Sequence, residues 1–82
     1  MIEYFLEEID GAKNYYNLFL EHKGQEIACD LFSMACDELD HANFWLGLIS
    51  FTDEYREEYS KLYEKTFKTV HEEDGGMMYG KY

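Results

Sequence analysis

Proline is absent from the 82 residues of this chain, and only two cysteines and seven lysine and arginine residues are present. Without proline, which breaks a helix interior, long uninterrupted helices are permitted. The sequence also lacks an apolar run of membrane-spanning length and a recognisable signal peptide. An aromatic content of 18% argues against a disordered chain, and the length allows one domain at most. We therefore expect one small helical domain.

The shortage of basic residues leaves a net charge of −11, because 18 Asp and Glu residues are present. Such a charge opposes binding to nucleic acid and to anionic membranes. It permits binding of cations or of a basic protein surface, and solubility alone would explain it equally well.

The two cysteines, Cys29 and Cys36, lie seven residues apart on one predicted helix. A separation of roughly 10 Å along that helix is too long for a disulfide between them. They fall on or beside a polar strip with no histidine at ligand spacing, so the sequence assigns them no role. We expect a reducing, cytoplasmic location. His22 and His71 lie near predicted helix ends, where they would complement the helix dipole.

Apolar residues recur at helical spacing in two segments joined by a very short turn. The first predicted helix runs from about Ile2 to about His22, and the second from about Gln25 to about Ile49. Gly24 suits the left-handed residue that follows a helix. So short a connection predicts an antiparallel hairpin.

A third helix is expected in the C-terminal part of the chain. Ser50 and Thr52 are candidate N-caps, and a stripe of tyrosines and aliphatic residues follows them. Negative charge at the C-terminal end of this helix is unfavourable, and Gly75 and Gly76 end it. The prediction is a single helical domain over residues 1–74 with a flexible tail over residues 75–82.

The second helix is apolar over most of its circumference. Only a strip through Asp30, Ser33, Asp37 and Asp40 is clearly polar. Such a surface is wider than one partner helix covers. We expect it to be buried on two sides, one within the chain and one against another subunit.

Glu38 and His41 are the informative pair on this helix. They are three residues apart, so they project from one helix face. At about 100° per residue, Glu38 falls in the middle of the apolar stripe and His41 falls between Met34 and Trp45. A carboxylate there is costly unless a partner satisfies it, and a metal ion is one such partner. Carboxylate with imidazole suits iron or manganese.

A site of this kind also needs a carboxylate from the facing helix. Glu8 lies about 70° from the centre of the first helix's apolar stripe, against about 130° for Asp10, while Glu7 points almost the opposite way. Glu8 is therefore the best candidate. Gly11, one turn later, would allow close helix contact, although glycine destabilises a helix by about 1 kcal/mol relative to alanine.

Readings without a metal remain open at this point. Glu38 and His41 could hydrogen-bond to each other, pair with Lys13, or only specify the register of an oligomer. The chain could also be a small acidic interaction protein that binds a basic partner.

Several stretches resemble the ferritin-like superfamily in its half-length form, over about residues 3–49. Glu8 and the Glu38–His41 pair carry the resemblance, with Ala12–Tyr16, Ile27–Ala28 and Met34–Ala42. These stretches look like a rubrerythrin-type half-bundle, and the spacing from Glu8 to Glu38 is similar to that of encapsulated ferritins. Small phage and prophage ferritin-like proteins are similar too.

The resemblance implies a subunit that supplies Glu8, Glu38 and His41 and pairs face to face with a second copy. Two hairpins would form a four-helix bundle around two iron ions, or manganese, with Glu38 bridging the metals and His41 capping them. The assembly would be a dimer or a ring of dimers, and Fe(II) would be oxidised by oxygen or peroxide as in a ferroxidase. Because the chain holds a single Glu-x-x-His, one subunit cannot build the site alone.

Overall fold

The computed structural model describes residues 2–49 and 53–71. These residues form three helices, α1 (Ile2–Glu21), α2 (Ile27–Leu48) and α3 (Asp53–His71), with no strand in the described ranges. The all-helical prediction is confirmed, and the ends predicted for α1 and α2 are correct to within two residues, the usual uncertainty of helix boundaries. The predicted caps Ser50 and Thr52 and the tail over residues 75–82 lie outside the described residues.

The turn between α1 and α2 reverses the chain at a single left-handed glycine. Gly24 has a φ of +87°, and the Gln25 amide donates a hydrogen bond of 3.0 Å to the His22 carbonyl. A left-handed residue is inexpensive only for glycine, which has no Cβ. Gly24, which the sequence predicted to be the left-handed residue after α1, therefore forms the turn of the predicted hairpin.

The interior of the hairpin combines large side chains with alanines. Phe5, Ile9 and Phe19 of α1 are almost fully buried, as are Ala35 and Ala42 of α2. Because alanine side chains are small, the two helix backbones approach closely. The core therefore follows the predicted stripe of α1 but only one flank of the wide apolar surface of α2.

The third helix packs along one side of the hairpin, antiparallel to α2. Its N-terminal half meets the open end of the hairpin, where Tyr59 lies edge-on to Phe5 with ring centroids 5.8 Å apart. Its C-terminal half meets the turn end, where Val70 is buried beside Phe19 and Ala28. None of the three helices, within the ranges given above, is both long and apolar enough to cross a bilayer.

Arg56 connects α3 to the C-terminal end of α2. Its Nη1 donates hydrogen bonds to the carbonyl oxygens of Leu46, at 2.7 Å, and Ile49, at 3.2 Å. The last carbonyls of a helix have no partner within the helix and lie at the negative end of its dipole. The Arg56 guanidinium donates hydrogen bonds to these carbonyls and also places a positive charge at the negative end of the helix dipole.

Replacing Arg56 by methionine should lower the free energy of unfolding by about 1–2 kcal/mol, because two carbonyl acceptors lose a charged donor. Urea denaturation measures this change. Lys61→Met is the matched control, since the ion pair of Lys61 with Glu57, at 3.2 Å, lies on an exposed helix surface. Such exposed pairs contribute less than about 0.5 kcal/mol. Equal losses in the two variants would contradict the capping role of Arg56.

Candidate metal centre

The hairpin brings Glu8 of α1 together with Glu38 and His41 of α2. Each residue offers one ligand atom, and these atoms all lie within 4.8 Å of one another. His41 Nδ1 is 2.8 Å from Glu8 Oε2 and 3.3 Å from Glu38 Oε1. All three residues selected from the sequence thus lie in one group.

The antiparallel register of α1 and α2 produces this grouping. The rings of Tyr4 and Trp45 pack together at a tilt of 33° one turn before Glu8, with centroids 4.9 Å apart. Glu38 reaches α1 one turn after Glu8, at Gly11. Successive turns of α1 therefore contact successive turns of α2 in reverse order. Glu8 contacts His41 at the turn between the Tyr4–Trp45 contact and the contact of Glu38 with Gly11.

Gly11 provides the space that the Glu38 carboxylate occupies. A Cβ at position 11 would lie 2.6 Å from Glu38 Oε2 and 3.1 Å from its carboxyl carbon. Both are closer than normal van der Waals contact. An alanine at this position would force Glu38 away from α1. Gly11 therefore allows the Glu38 carboxylate to occupy its place, although glycine is unfavourable within a helix.

Burial differs among the three side chains. Glu8 and Glu38 are 21% and 23% exposed, whereas His41 is 61% exposed. The sequence predicted that His41 lies on a buried apolar stripe of α2. In a single chain, the part of that stripe around His41 is instead exposed to solvent. The reason is that α3 covers the opposite side of the hairpin.

The sequence suggested two contacts by which Glu38 and His41 could be satisfied without a metal, and the structure contains one of them. The hydrogen bond between their side chains is present at 3.3 Å. Lys13, the other suggested partner, instead lines a groove between α1 and α3 together with Lys65 and Thr69. The site therefore consists of two carboxylates and an imidazole.

The protonation of His41 is controlled by these carboxylates. Desolvation of the ring lowers the pKa of His41, but the hydrogen bond to Glu38 and the charge of Glu8 together outweigh it and raise the pKa above its usual value. His41 Nδ1 lies between two carboxylate oxygens, one from Glu8 and one from Glu38. A cation is thus favoured at this point of the surface.

Apolar side chains surround the site. We define the open face as the side of the hairpin that carries Glu8, Glu38 and His41. Beside these residues lies a depression of about 380 Å³, lined by residues of α1 and α2 alone. Several large side chains near it or on the same helix faces are substantially exposed: Tyr4, Leu18, Ile27, Met34, Phe44 and Leu48.

A second polar contact, between α2 and α3, was missed by the sequence analysis. Cys36 Sγ lies 3.7 Å from His71 Nε2, and both side chains are half-buried. The His71 ring packs against Phe67 and Phe32, with centroid distances of 4.2 and 5.8 Å. His71 is therefore part of a helix–helix contact and not only a residue near a helix end. No spacing in the sequence could reveal this pair, because 35 residues separate its members.

Comparison with profiles of known protein families, with curated proteins and with solved structures gives no significant match.

Substituting Gly11 and Gly47 by alanine should have different effects, although both are helical glycines. Gly47 has open space around it, so Gly47→Ala should gain about 0.5–1 kcal/mol of stability from helix propensity. In Gly11→Ala this gain should be cancelled by displacement of Glu38, and the pKa of His41 should fall. Urea denaturation and NMR titration measure these quantities. A Gly11→Ala protein as stabilised as Gly47→Ala, with unchanged His41 titration, would contradict the role of Gly11.

In an NMR titration, His41 should have a pKa above the usual histidine value and His71 a pKa below it, since desolvation outweighs the charge of Asp40 at His71. Glu8→Gln and Glu38→Gln should each lower the His41 pKa. Because the His41 pKa is raised by folding, its stabilising contribution is complete below the unfolded-state pKa and is lost as pH rises through the folded-state pKa. Unchanged His41 titration in both variants would rule out this electrostatic coupling.

Proposed function

We propose that this chain binds iron at a carboxylate site that two copies complete together, each supplying Glu8, Glu38 and His41. The observation that carries the proposal is the convergence of these three side chains, within 4.8 Å, on an apolar face of the hairpin. Partly buried carboxylates on such a face require a cationic partner.

The donor set fits the proposed metal. Carboxylate oxygens and an imidazole nitrogen suit iron or manganese better than a metal that prefers thiolates. The Glu8 and Glu38 carboxylates that face His41 Nδ1 raise the pKa of His41, so positive charge is favoured at this position. Because a protonated Nδ1 must lose its proton to bind a metal, binding should be weaker at low pH.

A second copy is required by the number of ligands. One chain offers two carboxylates and one imidazole, whereas two chains offer four carboxylates and two imidazoles, the set that di-iron four-helix bundles use. Pairing about a twofold axis would cover exposed apolar side chains such as Tyr4, Met34 and Leu48. Small domains commonly gain stability through association of this kind.

With iron bound, the site would supply electron transfer from Fe(II) to oxygen or peroxide, which is the ferroxidase activity implied by the ferritin-like resemblance. The part played by one chain is to hold the ligands, and exclusion of water from them would fall to the second copy, because His41 is 61% exposed in a single chain. Gly11 leaves room for the Glu38 carboxylate, and Tyr4 and Trp45 pack together at the neighbouring turn. The alternative function, a small acidic interaction protein without catalysis, requires none of these contacts.

Native mass spectrometry after anaerobic addition of Fe(II) tests the proposal. We expect a dimer that carries two iron ions and oxidises Fe(II) when oxygen is admitted. Glu38→Ala and His41→Ala should each weaken iron binding by at least about 100-fold, since losing a direct ligand exceeds the 10–100-fold effect of losing a supporting residue.

Asp10→Ala and Asp37→Ala are matched controls, because each removes an exposed acid close in the sequence to a proposed ligand and should leave binding unchanged. If all four variants bind iron like the unmodified chain, the site is wrong. If the protein stays monomeric and free of iron, the acidic interaction protein becomes the better description.

A further inference from the structure

A second cavity lies between α1 and α3. We define the α1–α3 groove as this cavity, which is lined by residues between positions 13 and 20 of α1 and between positions 62 and 70 of α3. We propose that the groove binds a medium-chain fatty acid, with the carboxylate between Lys13 and Lys65 and the acyl chain along the apolar floor. Its volume of about 570 Å³ is within the range of small-molecule sites. It shares no lining residue with the depression on the open face.

The groove runs between two helices that point in the same direction. Near their N-terminal ends the rings of Phe5 and Tyr59 meet, with centroids 5.8 Å apart. Near their C-terminal ends Phe19 and Val70 belong to one buried cluster. A residue midway between these two contacts on α1 is therefore level with a residue midway between them on α3.

Lys13 and Lys65 provide the charge of the groove. Each lies midway between the two contacts just described, so the lysines stand level with each other on opposite walls. No Asp or Glu lines the groove within residues 2–49 and 53–71, although the chain has 18 acidic residues. In the same ranges neither lysine ammonium forms an ion pair. Two cations that face one cavity favour an anionic ligand there.

The other polar groups of the groove make the two lysines the principal donors. The hydroxyls of Thr66 and Thr69 donate hydrogen bonds of 3.0 Å to the carbonyl oxygens of Leu62 and Lys65, so their protons are already used within α3. Asn17 adds a neutral amide. A carboxylate has two oxygens and can accept one charge-assisted hydrogen bond from each ammonium.

Apolar side chains continue the groove from the lysines toward the turn end of the hairpin. Tyr16 and Val70 are buried in its floor, and Leu20 lies at its far end with part of its surface exposed. The seven-residue rise from position 13 to position 20 of α1 is about 10 Å, the length of a medium-chain acyl group. An acyl chain in this position would remove the exposed surface of Leu20 from water, which supplies the hydrophobic part of the binding free energy.

Calorimetric titration of the full chain with sodium decanoate, at neutral pH and below micelle formation, tests the proposal. We expect one decanoate ion to bind per chain, although the net charge of −11 repels anions. Acetate, which has the same head group and no tail, should not bind detectably. Decyltrimethylammonium has the same tail with a cationic head group, and it should not displace decanoate.

Lys13→Met and Lys65→Met should each weaken decanoate binding about tenfold, because each variant removes one charge-assisted hydrogen bond. Lys68→Met is the matched control, since it makes the same change of charge on α3. Lys68 lines a separate depression together with Tyr63 and Phe67, so its replacement should leave decanoate binding unchanged.

Leu20→Ser and Leu18→Ser test the position of the acyl chain. Both leucines are 39% exposed on α1, but Leu20 lines the α1–α3 groove and Leu18 does not. Leu20→Ser should weaken decanoate binding roughly fivefold or more, through loss of apolar contact, and Leu18→Ser should not. Glu38→Gln should also bind decanoate normally, which separates the groove from the proposed iron site.

Circular dichroism of each variant verifies that it is folded. Absence of decanoate binding to the unmodified chain, or displacement of decanoate by decyltrimethylammonium, would overturn the proposal. Equal affinities of the folded Lys13→Met, Lys65→Met and Lys68→Met proteins would do the same, as would equal affinities of the two leucine variants.

Discussion

The close antiparallel contact between α1 and α2 is the constraint on which the rest of the structure depends. Alanines at positions 12, 35 and 42 are fully buried where the two helices meet, so the backbones approach closely and the register is well defined. That register places Glu8 opposite His41 and leaves the space at Gly11 to the Glu38 carboxylate. A shift of one residue along either helix would separate the three side chains.

The position of α3 gives the hairpin two unlike sides. On the covered side, Tyr59 and Val70 complete the core. On the open face, apolar side chains lie around three polar groups, in which His41 Nδ1 contacts both the Glu8 and the Glu38 carboxylates. This asymmetry is the physical basis for proposing a second copy, because a monomer with both sides covered would have no place for a shared site.

Much of the fold could be predicted from the sequence because helical periodicity and turn chemistry are local properties. The bounds of α1 and α2, the left-handed Gly24 and the buried stripe of α1 all follow from residues close together in the chain. The choice of Glu8 over Glu7 and Asp10 followed from the helical wheel and agrees with the observed grouping. The exposure of His41 could not be predicted, since it depends on which side α3 covers. Dimerisation, iron binding and the ferritin-like resemblance remain predictions.

The sequence by itself determined that this is a helical hairpin followed by a third helix, with Glu38 and His41 on one face of the second. Local spacing decides these features, because residues three and four apart on a helix are neighbours whatever else the chain does. Only the tertiary structure decided that Arg56 meets the carbonyls at the end of α2 and that His71 meets Cys36. Those contacts depend on how α3 packs across the hairpin, which is set by the shapes of the buried side chains together and by no single spacing.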